Sequence, residues 1–318
     1  MKKIIKLCLL AMVFIQLLTS FGKEDQPIIS APPNINILTG YQDIKVGITT
    51  IVCNKDTLIV SGIIPQEIEE YSAYIFGLNT EEYVAIKFFN NDLDANTLTA
   101  QLKGTTYMGT NFIIEQIDED NYRISGTLSS STLKEKPIVI NFDETSMGGG
   151  NSTISVSGAV ATINGALGRV TYNQILDLNH NKHDINTLLL GEIDGSIDDA
   201  TNEKTGRLFG EAGYTIWVNS NSEIYSGGVD LLCSGKRRKI DQGAILGVHS
   251  WCCGNKGEDA LEIPKNDAQH TRPKTYLIEM LGEPFGTDFY FFAINAATAD
   301  SIHNMTTAEI EKYHLISE

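Results

Sequence analysis

Along residues 44–142 the apolar positions come in short runs, rich in Ile, Val, Thr and aromatic residues and separated by clusters of Asn, Asp and Gly. Runs at 44–52, 57–63, 83–89, 97–102, 111–117, 122–128 and 137–142 each have the length and composition of a strand. Turns are expected between them, for example at Asp92-Leu93-Asp94 and Asp118-Glu119-Asp120. Many short strands with turn residues between them predict a β-rich, sandwich- or barrel-like domain over 27–144. This stretch contains no His, and its acids sit mostly in turns, so it reads as an accessory domain rather than a catalytic one.

The segment 145–153, with Gly148-Gly149-Gly150 flanked by Ser and Asn, has the composition of a linker. Beyond it, over 154–318, the period changes. Strands are expected at 154–163, 187–193, 215–218, 238–240 and 245–249, and helices at 171–178, 199–211, 229–233, 274–281, 288–297 and 307–313. The run 187–193 is apolar almost throughout, as in a strand covered on both faces. Alternation of this kind predicts an α/β domain with a mostly parallel sheet.

The first residues add a different signal. Lys2, Lys3 and Lys6 precede an apolar run over 7–18, which ends in Thr19-Ser20-Phe21-Gly22. That order is expected of a signal peptide over 1–22, and the run is short of the about 20 residues a membrane span needs. An exported protein, periplasmic or secreted, with no membrane attachment after cleavage is therefore expected. The 318 residues carry 24 basic and 40 acidic side chains, a formal charge of −16, and loss of the three lysines takes this to −19. Such a balance argues against nucleic acid as a partner. Cleavage would also remove Cys8 and leave Cys53, Cys233, Cys252 and Cys253, for which both disulfides and buried thiols stay open. No spacing suggests a metal site, and no glycine-rich phosphate loop follows a strand, so no cofactor is expected.

Candidate chemistry sits in three places. In Tyr225-Ser226-Gly227-Gly228-Val229-Asp230 a serine lies between a strand and an apolar helix, where free N–H groups stabilise developing negative charge; the plain alternative is a serine N-cap with a glycine turn. The strand 243–249 ends in His249, placed to act as a general base on a neighbouring loop. The turn Asp194-Gly195-Ser196 closes the most hydrophobic strand.

The order and spacing of these pieces resemble the Clp-protease/crotonase superfamily, specifically its ClpP-like serine peptidase branch, from about residue 155 to the end. Ser226 and His249 are 23 positions apart, with Gly235, Arg238 and the Gly243-to-His249 strand between them, and the tail from Ala299 to Leu315 resembles the family's closing segment. The resemblance implies a ClpP/crotonase-like catalytic domain with Ser226 as nucleophile, His249 as base and Asp300 or, alternatively, Asp230 as the acid. It also implies oxyanion donors at Gly227 and at Gly195-Ser196, although the family's Ser-Pro-Gly-Gly turn is absent. The implied activity is ATP-independent hydrolysis of a peptide or other acyl substrate by a homo-oligomer. A crotonase-like thioester enzyme and a catalytically inactive binding module are the alternatives.

Overall fold

The computed structural model describes residues 41–317, less 69–70, 79–80, 90–91, 131–134, 182–183, 253 and 255–256. The expected signal segment over 1–22, Cys8 and Cys253 lie outside the described residues. The chain divides into two compact units, one over 47–147 and one over 41–46 and 148–317.

The first unit is one antiparallel sheet of nine strands: β1 (Thr50–Cys53), β2 (Asp56–Ile59), β3 (Gly62–Ile68), β4 (Tyr71–Gly77), β5 (Tyr83–Phe89), β6 (Asp92–Leu102), β7 (Thr105–Gln116), β8 (Asn121–Ser129) and β9 (Lys136–Asp143). Their order is β2-β1-β9-β8-β7-β6-β5-β4-β3, so the two edge strands follow each other in sequence. At the join, the Val60 N–H donates to Thr49 O and the Ser61 N–H to Gly77 O, tying the join to both sides of a curled sheet. Alternate residues, among them Ile51, Phe76, Ile86, Leu98, Ile124 and Ile140, fill a common core. The turn at 118–120 forms as expected, with Asp118 Oδ1 accepting from the Asp120 and Asn121 N–H groups. The turn expected at Asp92–Asp94 is instead the start of β6. Strand β4 has no counterpart in the sequence reading, and the expected strand at 57–63 straddles β2 and β3.

The expected linker is ordered. A 3-10 turn covers Glu144–Gly148, Asn151 exchanges two hydrogen bonds with the backbone of Ala166, and the Ser152 hydroxyl meets Thr171 Oγ1 at 2.7 Å. Gly150 sits at φ 72°, where a Cβ would come within 2.6 Å of Ala166 O. These glycines permit close backbone approach, which their composition alone cannot distinguish from flexibility.

In the second unit the strands β10 (Thr153–Ser157) and β11 (Val160–Asn164) form a hairpin, followed by helix α1 (Arg169–Asn181). Next come β12 (Thr187–Leu190), β13 (Glu192–Ile193), α2 (Asp199–Ala212), β14 (Thr215–Val218), β15 (Glu223–Tyr225), α3 (Gly227–Cys233), β16 (Arg237–Ile240) and β17 (Ile245–Val248). The tail holds α4 (Thr271–Leu281), α5 (Phe285–Ala296), β18 (His303–Asn304) and α6 (Thr307–Lys312).

These strands make two sheets, β10-β11-β12-β14-β16 and β13-β15-β17-β18. Apart from the β10–β11 hairpin and β18, all pairings are parallel. The same step recurs: one strand joins the larger sheet, the next joins the smaller, and a helix returns the chain. Thus β12, β13 and α2 form one turn of this spiral, and β14, β15 and α3 the next. The single strand expected over 187–193 is broken at Gly191. A Cβ there would lie 2.2 Å from Asn164 Oδ1, the atom that accepts the Glu192 N–H at 2.9 Å. A nearly continuous apolar run cannot show such a change of sheet, because both halves bury an apolar side chain, Leu190 and Ile193.

Candidate active site

Strands β13, β15 and β17 lie side by side and parallel, in the registers Ile193↔Ile224 and Tyr225↔Gly247. Their C-terminal ends therefore gather Gly195-Ser196, Ser226-Gly227 and His249 at one edge, the place where open parallel sheets bind ligands.

Ser226 occupies the strand-to-helix turn at φ 50°, ψ −119°, a conformation that costs a residue with a Cβ about 1–3 kcal/mol. Its N–H donates to Gly247 O at 2.9 Å, which fixes the turn to β17. The plain N-cap reading fails, because the side chain makes no cap hydrogen bond. A serine at positive φ, its hydroxyl without a hydrogen bond among the described residues, is instead presented at the helix start.

The turn of Gly195 and Ser196 interlocks with this one. Gly195 has φ 126°, and a Cβ on it would stand 3.2 Å from Ser226 Cβ; a Cβ on Gly227 would fall 2.4 Å from Ser196 Oγ and 2.9 Å from Asn202 Nδ2. The first turn is clamped by the Leu167 N–H to Gly195 O, at 2.8 Å, and the Ile197 N–H to Leu167 O, at 2.9 Å. Asn202, almost wholly buried, donates from Nδ2 to Gly227 O at 2.9 Å. Ser196 Oγ donates to Asp199 Oδ1. The N–H groups of Ser196 and Gly227 find no acceptor among the described residues, so two donors stand free beside the serine hydroxyl.

His249 follows β17 directly. Since Tyr225 pairs with Gly247, Ser226 is level with Val248 and His249 comes one residue further on a strand about 4.8 Å away. Its Nδ1 is shut from solvent with no hydrogen-bond partner among the described residues, which leaves Nε2 as the nitrogen for proton transfer. Burial holds the imidazole below its usual 6.5, opposed by the Ser250 backbone and by the charges of Asp199 and Asp259. At neutral pH the ring is a free base. No hydrogen bond joins it to the Ser226 hydroxyl among the described residues.

The acid expected at Asp300 has another partner. That carboxylate is exposed and accepts from Thr298 Oγ1 at 2.5 Å within its own turn; the charges of Asp199 and Asp259 favour the protonated form of His249 without a hydrogen bond to it among the described residues. Asp259 is anchored by the Ala299 N–H at 3.0 Å. His303 pairs with Val248 across β17–β18, so it faces the side of the sheet opposite to His249; there it packs on Phe292 and binds Glu309.

Asp230, one turn into α3, is the other acid. It has no pairing with Arg238, whose guanidinium is held by the carbonyls of Gly235, His314 and Leu315. Its carboxyl is pushed up to about 8, first by burial and then by the charges of Asp199 and Glu203. Unfolded, an aspartate loses its proton near pH 4; folded, Asp230 keeps it to about pH 8. Between those values the folded state binds more protons, so this group's contribution to stability falls as pH rises, by up to about 1.4 kcal/mol per pH unit. Asp230→Asn should flatten that slope in urea melts from pH 5 to pH 8; equal slopes for variant and wild type would exclude it.

Asn202, Asp199 and Asp259 were not marked as site residues by sequence reasoning. Asp199 carried only the generic signal of an acid in a first helical turn, and Asn202 and Asp259 carried none. Among the cysteines, Cys53 and Cys233 are buried free thiols, while Cys252 is disulfide-bonded to a partner outside the described residues.

No family model matches the chain, and no curated protein matches its sequence. Solved structures do. An enoyl-CoA hydratase from Bacillus anthracis shares 12% identity, with 52% of this chain and 68% of that one covered at a TM-score of 0.35. A putative enoyl-CoA hydratase/isomerase from Acinetobacter baumannii shares 11%, covering 53% and 76% at 0.32. An enoyl-CoA hydratase/carnitine racemase from Magnetospirillum magneticum shares 13%, covering 53% and 68% at 0.34. Each of these likenesses extends over about half of this chain.

Proposed function

We propose that the second unit is a serine hydrolase of acyl compounds, acting on a peptide or another ester or amide. The observation that carries this reading is Ser226 itself, a serine held at positive φ with its hydroxyl uncommitted, between the free N–H groups of Gly227 and Ser196. In the first step Ser226 Oγ bonds to the acyl carbon while its proton passes to His249 Nε2. The carbonyl oxygen, now an oxyanion, accepts from the two N–H groups. The imidazolium is stabilised by the negative charges of Asp199 and Asp259, then gives its proton to the leaving group as the bond to the acyl carbon breaks. Water repeats the sequence on the acyl-enzyme and frees Ser226.

The depressed basicity of His249 sets the pH profile. The active form is neutral, so the rate of labelling by a fluorophosphonate should climb to a plateau with a midpoint below 6.5 and stay flat through pH 8. A midpoint above 7, or no labelling of the folded protein, would remove the reading.

A second reading is thioester chemistry by oxyanion stabilisation without a covalent intermediate. Two observations favour it: the His249 Nδ1 that no acid holds among the described residues, and the Asp230 carboxyl that keeps a proton at neutral pH. The similar solved structures are an enoyl-CoA hydratase and a putative enoyl-CoA hydratase/isomerase. Turnover of an acyl-CoA that survives Ser226→Ala and is lost in Asp230→Asn would select it.

A further inference from the structure

Behind His249 lies a buried polar chain that no catalytic step uses. His270 is fully buried, with Nδ1 at 2.6 Å from Tyr290 Oη and Nε2 at 3.3 Å from Ile263 O. Trp251 Nε1 donates to the same Tyr290 oxygen at 3.1 Å. The directions follow from both ends. A carbonyl only accepts, so His270 carries its proton on Nε2 and offers Nδ1 as an acceptor. An indole N–H only donates, so the Tyr290 oxygen accepts from Trp251 and sends its own hydrogen to His270. Burial pushes the Tyr290 phenol up to about 12, and that hydrogen stays in place at neutral pH. The Trp251, Tyr290 and Phe291 rings surround the imidazole edge-on at 5.6–6.0 Å.

This chain holds both ends of the loop that leaves His249. Trp251 stands two residues after the histidine, and Ile263 closes the loop. Between them the Ala260 N–H donates to Trp251 O and the Leu261 N–H to Ser250 Oγ, both at 3.0 Å, while the Ser250 N–H reaches Ala297 O at 2.9 Å. By contrast, the buried His249 Nδ1 has no hydrogen-bond partner among the described residues, and the polar group that acts on the ring is the backbone of Ser250, the next residue. Its placement must then come from the backbone on either side, β17 before it and this tied loop after it.

We propose that His270 and Tyr290 are positioning residues that hold His249 in place through Trp251, a role that rests on reading His249 as the proton acceptor. Tyr290→Phe removes one oxygen and leaves the rings packed. The labelling rate with a fluorophosphonate should fall at least about tenfold and the midpoint of its pH profile should move. If Tyr290→Phe does not fold, Trp251→Phe cuts only the tie to the loop and leaves the His270–Tyr290 bond intact, with the same result expected. A merely structural role would lower the melting temperature and leave the midpoint unmoved. Folded variants that label at the wild-type rate with the wild-type midpoint would overturn the proposal. Should the wild type itself not label, the hydrolase reading falls alone. The titration of the His249 ring, followed by NMR in wild type and Tyr290→Phe, then decides this one: a displaced midpoint sustains it and an identical midpoint overturns it.

Discussion

Ser226→Ala should abolish fluorophosphonate labelling and reduce hydrolysis by at least about 10³-fold, because loss of the attacking oxygen removes the covalent route. Ser226→Gly sharpens the test. Glycine adopts φ 50° without the cost that a Cβ brings, so this variant should be as inactive as the alanine but melt at or above the wild-type temperature. Intact-mass detection of the labelled protein and a thermal melt read the two effects separately. Labelling that persists in both variants would move the nucleophile elsewhere, and a Ser226→Gly melt well below wild type would show that the turn stores no strain.

Gly227→Ala attacks the oxyanion donors and spares the nucleophile. The added Cβ would fall 2.4 Å from Ser196 Oγ, 2.6 Å from Ser196 Cβ and 2.9 Å from Asn202 Nδ2. Those distances lie well inside van der Waals contact, so the Ser196 turn and the Ser226 turn must separate. One of the two donors then loses its aim, which typically costs about 10²–10³ in rate. The expected result is a labelling rate lower by that factor, with Ser226 still the labelled residue. A rate within about twofold of wild type, on a folded protein, would exclude Gly227 and Ser196 as paired donors. The thioester reading predicts the same sensitivity at Gly227 but none at Ser226, so the pair of variants separates the two chemistries.

Much of the second unit was legible because its signals are local. Helices α2 and α5 show as amphipathic or apolar segments with recognisable starts. The strand expected to end in His249 is β17, which stops at Val248, one residue before it. Ser226 stands at a helix start in both. The first unit is β-rich, as its short apolar runs predict, yet β4 matches none of those runs and Asp92–Asp94 opens a strand rather than a turn, since acidic residues on a strand look like turn residues when their partners are unknown. At 145–153, where the boundary between the two units falls, composition could not show that Gly150 packs tightly against Ala166.

The sequence by itself determined which segments can form strands and helices and which few side chains have the chemistry to act, because periodicity, caps and functional groups belong to single stretches of chain. Only the tertiary structure decided that the run over 187–193 changes sheet at Gly191, that Gly195-Ser196 meets Ser226-Gly227, and that Trp251, Tyr290 and His270 are joined by hydrogen bonds. Each of those facts joins residues up to tens of positions apart. Such meetings are set by strand register and by the volume a side chain is allowed, neither of which is carried by any one segment.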